Sequence, residues 1–298
     1  MVKDFDSLVK KALSLGQKRI AIGAADDSEV IAAVREAAAL GLASSILVGD
    51  EEAIRDKAGR EGLPEGSRIV DIKDSYQAAL EATRFVRSGE ADILVKGSIN
   101  TSDFLKAALD KEKGLRSGRL LSHLAAFELP GEPRLQFHSD GGMNVAPELE
   151  EKRQILENAL EALHRLGIAE PRVAILAANE QVNPKIRATT DAAALVELWR
   201  KGGFPGSIVE GPMALDVATS AEAAARKGLS SAIVGEVDLF IMPSIEAGNI
   251  AGKLLVRYAG ARMAGLVLGA LRPIVLVSRA DDAAAKVNSL ALACLARG

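Results

Sequence analysis

Short apolar runs alternate with amphipathic helical patterns along most of this chain, and the alternation leaves few folds open. Phe5, Leu8, Val9, Ala12 and Leu13 fall at helical spacing, with Gly16 at the position behind a helix end. Residues 19–23 read as a strand, and Asp26, Asp27 and Ser28 offer caps for a helix running to about Leu40, before Gly41. Strands follow at 45–48, 68–72 and 91–96, with a helix at 76–87 between the last two. Strands and helices in such regular alternation imply an α/β fold, with a mainly parallel sheet covered on both faces.

The 298 residues suffice for one large domain or two of ordinary size. Hydrophobic residues are 48% and charged residues 26%, which permits a full core. Aromatic residues are only 3%, so Ala, Leu, Ile and Val carry the burial. A formal net charge of -3 argues against general nucleic-acid binding, and an anionic ligand then needs a local cluster of cations. The single cysteine, Cys294, excludes an internal disulfide and a cysteine-based structural zinc site; among Leu292, Ala293 and Leu295 it reads as core. His123, His138 and His164 are too scattered to suggest a metal site. The opening MVKDFDSLVKK has no apolar signal region, and no apolar run is long enough to span a bilayer. A cytoplasmic protein with no membrane partner is expected.

The second half continues the pattern less regularly, and a domain boundary is expected close to Arg119. Strands are expected near 120–127 and 134–138, then a tight loop, Ser139-Asp140-Gly141-Gly142-Met143-Asn144. Pro147 opens a helix with Leu156, Ala159, Leu160 and Leu163 on one stripe. A strand at 173–177 and a helix at 186–200 follow. Ile208-Val209 enter a short strand that Gly211-Pro212 turns toward Asp216, and the next helix ends near Gly228.

Three strand-to-helix turns carry the candidate chemistry, because ligands of open parallel sheets bind outside the carboxyl ends of the strands. In Lys96-Gly97-Ser98-Ile99-Asn100-Thr101-Ser102, Thr101 or Ser102 can cap a helix to about Asp110. Its small and polar residues suit an oxyanion, although an ordinary capped turn has the same composition. The second turn lies in DLFIMPSIEAGNIAGKLLVR, residues 238–257: a strand ended by Pro243, a polar turn from Ser244 to Asn249, then a helix with Lys253 and Arg257 a turn apart. Backbone N–H groups at such a turn suit an anion. It is not a P-loop, since Gly248 and Gly252 are one residue too close and Leu254 stands where Ser or Thr must hold magnesium. The third turn, Ser278-Arg279-Ala280-Asp281-Asp282, follows a strand at 273–277 and precedes a closing helix to about Ala296. Arg116, Arg119, Ser122 and His123 also crowd together, and the basic pair equally suits the negative end of the preceding helix.

These segments resemble a known family, the phosphate acetyl/butyryltransferases. The resemblance covers nearly the whole chain and rests on AIGAADDSEVIAAVREAAALGLASSILVGD, LVKGSINTSDFLKAALDKEKGLRSGRLLSH, SDGGMNVAPELEEKRQIL, GPMALDVA, IMPSIEAGNIAGKLLVRYAGA and LVSRADDAAAKVNSLALA. The IEAGN-x-x-x-K segment and the Ser-Arg turn are its most specific marks, and GLRSGRLLSH is more similar to the butyryl branch than to the acetyl branch. The resemblance implies transfer of a short-chain acyl group, butyryl or a close relative, between coenzyme A and inorganic phosphate to give an acyl phosphate. Acyl-CoA is then a substrate, with no tightly bound cofactor and no metal. A phosphate acetyltransferase is the second reading and a non-catalytic relative the third. The implied architecture is two three-layer α/β/α domains, residues 1–119 with 268–298 and residues 120–267, with the active site in a cleft between them. A homodimer or higher homo-oligomer is expected.

Residue roles follow from the same resemblance. Ser278 hydrogen-bonds the reacting centre, and Arg279 holds phosphate or the developing charge, for which its fork of donors is suited. Asn249 and Lys253 contact phosphate or pantetheine, with Glu246, Gly97 and Ser98 in the same binding set. A carboxylate takes the thiol proton in the reverse direction. Here the sequence departs from the acetyl branch, which has an aspartate seven residues after the serine, where this chain has Ala285. Asp282, Asp281 and Asp216 are the candidate substitutes. The acetyl branch also has an arginine where Lys106 aligns, and Lys106 or Arg119 takes over its work.

Overall fold

The computed structural model describes residues 2–276 and 282–296, and its elements follow the alternation read from the sequence. Helix α1 (Phe5–Ser14) buries Phe5, Leu8 and Ala12 and leads into β1 (Lys18–Gly23). Asp27 opens α2 (Ser28–Ala39) by accepting the Val30 N–H at 3.0 Å, and β2 (Ala43–Gly49) follows. Asp50 and Asp74 cap α3 (Glu51–Ala58) and α4 (Ser75–Ser88) in the same way, on either side of β3 (Arg68–Asp71). Then come β4 (Ile93–Lys96) and α5 (Thr101–Ala108). The cap of α5 is Asn100 rather than Thr101 or Ser102. Its extended backbone sets it just outside the first turn, where Oδ1 accepts the Asp103 N–H and the Ser102 hydroxyl, each at 2.8 Å.

The chain continues through β5 (Ser122–Glu128) and β6 (Gln136–Ser139) to α6 (Leu149–Arg165). This helix starts after Pro147 because Glu148 and Glu151 form a reciprocal capping box. Next are β7 (Arg172–Leu176), α7 (Arg187–Arg200) and β8 (Ile208–Met213). Strand β8 does not end at Gly211-Pro212 as expected. Its pairing with β7 shifts register between Ala174 and Leu176, and that irregularity carries the strand on to Met213. Two short helices, α8 (Leu215–Thr219) and α9 (Ala221–Arg226), stand where one was expected. The last elements are β9 (Leu239–Ile241), α10 (Ile245–Tyr258), β10 (Arg262–Leu268), β11 (Ile274–Val275) and α11 (Ala283–Ala296).

By contacts, the described residues form two compact units. The first is Phe5–Arg119 with the chain from Ala264 onward. Its strand order is β3-β2-β1-β4-β11-β10, parallel except for β10 against β11. Right-handed crossovers put α2 and α3 on one face and α4, which returns in the opposite direction, on the other. Helices α1 and α11 join α2, and α5 joins α4. Strands β1 and β4 are buried along their carboxyl halves, as two-sided coverage requires.

The second unit is the chain up to Asp4 with Leu120–Met263. Its strand order is β5-β6-β9-β7-β8, with β5 antiparallel to β6 and the rest parallel. The same handedness rule places α6 and α7 on one face and α8, α9 and the chain returning to β9 on the other. Helix α10 starts one residue after Ser244, so Glu246, Gly248 and Asn249 are helical and not part of a turn. Gly248 and Gly252 are its only buried residues. A Cβ at Gly248 would stand 2.6 Å from the Gly141 Cα, and one at Gly252 would stand 3.1 Å from the Phe127 ring. Glycine serves close approach here, not a turn.

Candidate active site

In the second unit the Ser139–Asn144 loop and the first turns of α10 are built against each other. Strands β6 and β9 are parallel neighbours, so their carboxyl ends open at the same edge of the sheet. Asp140, 2% exposed, follows β6 directly. Its Oδ1 accepts the N–H groups of Gly142 at 2.8 Å and Met143 at 2.9 Å. Its Oδ2 accepts the His123 N–H at 3.0 Å and the Asn144 side-chain amide at 2.6 Å. The loop is tied to α10 and the residues before it by three further bonds. Met242 N–H donates to Ser139 O at 2.7 Å, Ile245 N–H to Val145 O at 3.0 Å, and Asn249 Nδ2 to Gly141 O at 3.3 Å.

The amides at the start of α10 are already engaged. Ile245 donates to Val145, and Ala247 donates to the Ser244 hydroxyl at 3.5 Å. Glu246 accepts from its own backbone N–H and from Ser244, and these bonds hold its carboxyl below the usual range against slight desolvation. The anion seated on this helix terminus is therefore Glu246 itself. What α10 offers a ligand is a side-chain face. Glu246, Asn249 and Lys253 recur at helical spacing, and all three are exposed.

The first unit places its candidates differently. The Gly97 N–H donates to Gly23 O at 2.9 Å and the Ser98 N–H to Ala24 O at 2.6 Å. A Cβ at Gly97 would lie 2.0 Å from the Ala24 oxygen, so this glycine is demanded by packing. With both amides occupied, the hydroxyl of Ser98 is the group this turn can turn to a ligand. Lys106 is exposed on α5, with Nζ 5.5 Å from the Tyr76 ring centroid. Arg116 donates to the Leu109 carbonyl at 2.5 Å, which is the helix-end role open to it from sequence. Arg119 is exposed, and its N–H donates to Ser117 Oγ at 3.1 Å.

The candidate bases are also located. Asp282 caps α11, accepting the Ala285 N–H at 2.8 Å. In the second unit Asp216 lies 3.2 Å from Lys227. The Lys227 hydrogen bond, more than any other contact, keeps the Asp216 carboxyl below its ordinary range, which makes it a weaker proton acceptor. Ser278, Arg279 and Asp281 lie outside the described residues.

The family model described as phosphate acetyl/butaryl transferase matches residues 73–294. The chain belongs to this family. It is 41% identical to the phosphate butyryltransferase of Clostridium acetobutylicum, over 100% of this chain and 99% of the clostridial one. It is 39% identical to the phosphate acetyltransferase of Thermotoga maritima, over 97% of this chain and 98% of that one. Its structure is similar to that of a branched-chain phosphotransacylase from Enterococcus faecalis, with a TM-score of 0.83 and 31% identity, covering 94% and 98% of the two chains. No helix among the described residues is long and apolar enough to cross a membrane.

Two features of this phosphate acetyl/butaryl transferase family member escaped the sequence reading. One is the Asp140 network, for which the Asp-Gly-Gly run is the only local signal. The other is His138, an inward residue of β6 that is 6% exposed between the Phe127 and Phe240 rings. Burial pushes its imidazole from 6.5 down to about 4. In the unfolded chain the ring takes up a proton near pH 6.5, so the folded state loses stability as pH falls from there toward 4. The loss from this one group is at most about 3 kcal/mol. His138→Leu removes the group, so its urea midpoint should fall less between pH 7.5 and pH 4.5 than that of the parent. An equal fall in both proteins would mean that His138 protonation has no part in acid sensitivity.

Proposed function

We propose that this enzyme transfers a short-chain acyl group, butyryl in preference to acetyl, between coenzyme A and inorganic phosphate. The observation that carries the proposal is the likeness along the full chain to the clostridial phosphate butyryltransferase. A phosphate oxygen attacks the thioester carbonyl. A C–O bond forms, the tetrahedral oxyanion collapses, the C–S bond breaks and coenzyme A leaves as thiolate. The protein's main tasks are to hold two anions together and to stabilise the oxyanion. Arg279 and Ser278 take these tasks in the proposal, with Asn249 and Lys253 on the phosphate or pantetheine. Acyl-CoA and phosphate are the partners, coenzyme A acts as substrate, and the enzyme works as a homo-oligomer in the cytoplasm. The resemblance supports the oligomer, and the single cysteine supports the compartment.

Butyryl preference is tested by the ratio of kcat/KM for butyryl-CoA and acetyl-CoA under saturating phosphate. A ratio above one supports the butyryl branch, and a ratio below one assigns the chain to acetyl transfer. The exposed position of Lys253 makes a binding role separable from chemistry. Lys253→Ala should raise the KM for phosphate or acyl-CoA by about tenfold, with kcat little changed. Unchanged KM for both substrates would remove Lys253 from the site.

A further inference from the structure

In the first unit's sheet the strand order reverses between β1 and β4. From β1 the chain steps outward to β2 and β3, and it then crosses back to β4 on the other side of β1. Open parallel sheets bind ligands in the crevice outside such a switch point. The turns that meet there are Ala24-Ala25 after β1 and Gly97-Ser98-Ile99 after β4, joined by the backbone bonds from Gly97 to Gly23 and from Ser98 to Ala24. Ala24 holds φ at 58°, the one positive value among the described non-glycine residues. Such backbone persists only where its surroundings fix it.

A lysine lies beneath this edge. Lys96, the last residue of β4, is 6% exposed. Its Nζ donates to the carbonyls of Gly97 at 3.1 Å and Ile99 at 2.9 Å, the two residues that flank Ser98. Gly97 and Ile99 are buried, and Ser98 between them is partly exposed. A carbonyl oxygen facing a phosphate repels it. Lys96 engages two of these oxygens on the buried side, while the Ser98 hydroxyl remains a donor at the crevice. A buried ammonium costs more to desolvate than a neutral brace would. Its charge has the sign that an anion needs, in a chain whose formal net charge is -3.

We propose that Lys96 is a positioning residue for acyl transfer, locking the turn at 97–99 so that the Ser98 hydroxyl donates to a phosphate oxygen of a substrate. The inference rests on the acyltransferase reading, and the phosphate belongs either to inorganic phosphate or to coenzyme A. Lys96 acts here through Ser98 and does not itself touch the substrate. A brace that served the fold alone would lower stability when removed, but its loss would not pass through the Ser98 hydroxyl.

The test is a double-mutant cycle on phosphate-dependent thiol release from butyryl-CoA by the full chain. KM for phosphate, KM for butyryl-CoA, kcat and the urea midpoint are measured on each variant. Ser98→Ala should raise one of the two KM values by about tenfold with kcat little changed, and the KM that rises tells which phosphate Ser98 meets. Lys96→Met should raise the same KM by about tenfold. Added to Ser98→Ala, it should raise that KM by less than about twofold more, because the one residue works through the other. Lys96→Gln keeps donors for a carbonyl and loses the charge; it should raise the same KM by less, and it carries the cycle if the methionine variant fails to fold. Equal effects of the Lys96 change with and without the Ser98 hydroxyl would overturn the proposal, as would unchanged KM for both substrates in a folded Lys96 variant. A parent chain that releases no thiol in the presence of phosphate would instead overturn the acyltransferase reading itself.

Discussion

Arg279→Ala is expected to lower kcat/KM for phosphate-dependent thiol release from butyryl-CoA by about 10²–10³-fold, with the fold intact. The expectation comes from the charge the reaction creates. Phosphate is already an anion when it meets the thioester, and the tetrahedral intermediate adds an oxyanion beside it. A guanidinium presents several N–H donors in a fixed plane, matching two oxygens at once, and it stays charged at any working pH. Removing it takes away both the hold on phosphate and the transition-state charge. Arg279→Lys keeps the charge and loses the fork, so it should recover only part of the activity. A folded Arg279→Ala variant with unchanged kcat/KM would take Arg279 out of the mechanism.

Asp140→Ala should produce the largest loss of stability in the second unit, about 3 kcal/mol or more. Four donors converge on this carboxylate: three backbone N–H groups, from His123, Gly142 and Met143, and the Asn144 amide. Alanine leaves them without their acceptor in a site where Asp140 itself is 2% exposed. The loop they shape is the one α10 packs on through Gly141 and Gly248, so Asn249 and Lys253 lose their support as well. Activity should fall together with the urea midpoint. Asp140→Asn retains one oxygen and should lose less of both. A variant with the parent's midpoint would mean that the network is dispensable.

Most strands and helices were legible because their apolar runs are bounded by caps or glycine, as at Asp27 and Gly41, whereas α3 and β10 were not read from the sequence. Local composition failed where one residue type serves two purposes. Gly248 signals a turn by composition, yet in the fold it brings a helix against Gly141, a contact made by residues far apart in sequence. The α5 cap was misplaced for a related reason: Asn100, Thr101 and Ser102 are all competent caps, and only the backbone decides among them. Strand β8 outran its expected end because a register shift in its partner is not written in its own residues. Of the candidate site, Glu246, Asn249 and Lys253 read as one motif in the sequence, and the fold carries all three exposed on α10. The Asp140 network was not legible, since His123 is seventeen positions away from the carboxylate it meets.

The most direct test of acyl transfer to phosphate is thiol release from butyryl-CoA, followed with and without inorganic phosphate. Release that requires phosphate and yields butyryl phosphate in equal amount is the result expected. Release at the same rate without phosphate would make the protein a thioesterase, and no release from butyryl-CoA or acetyl-CoA would contradict the acyltransferase assignment.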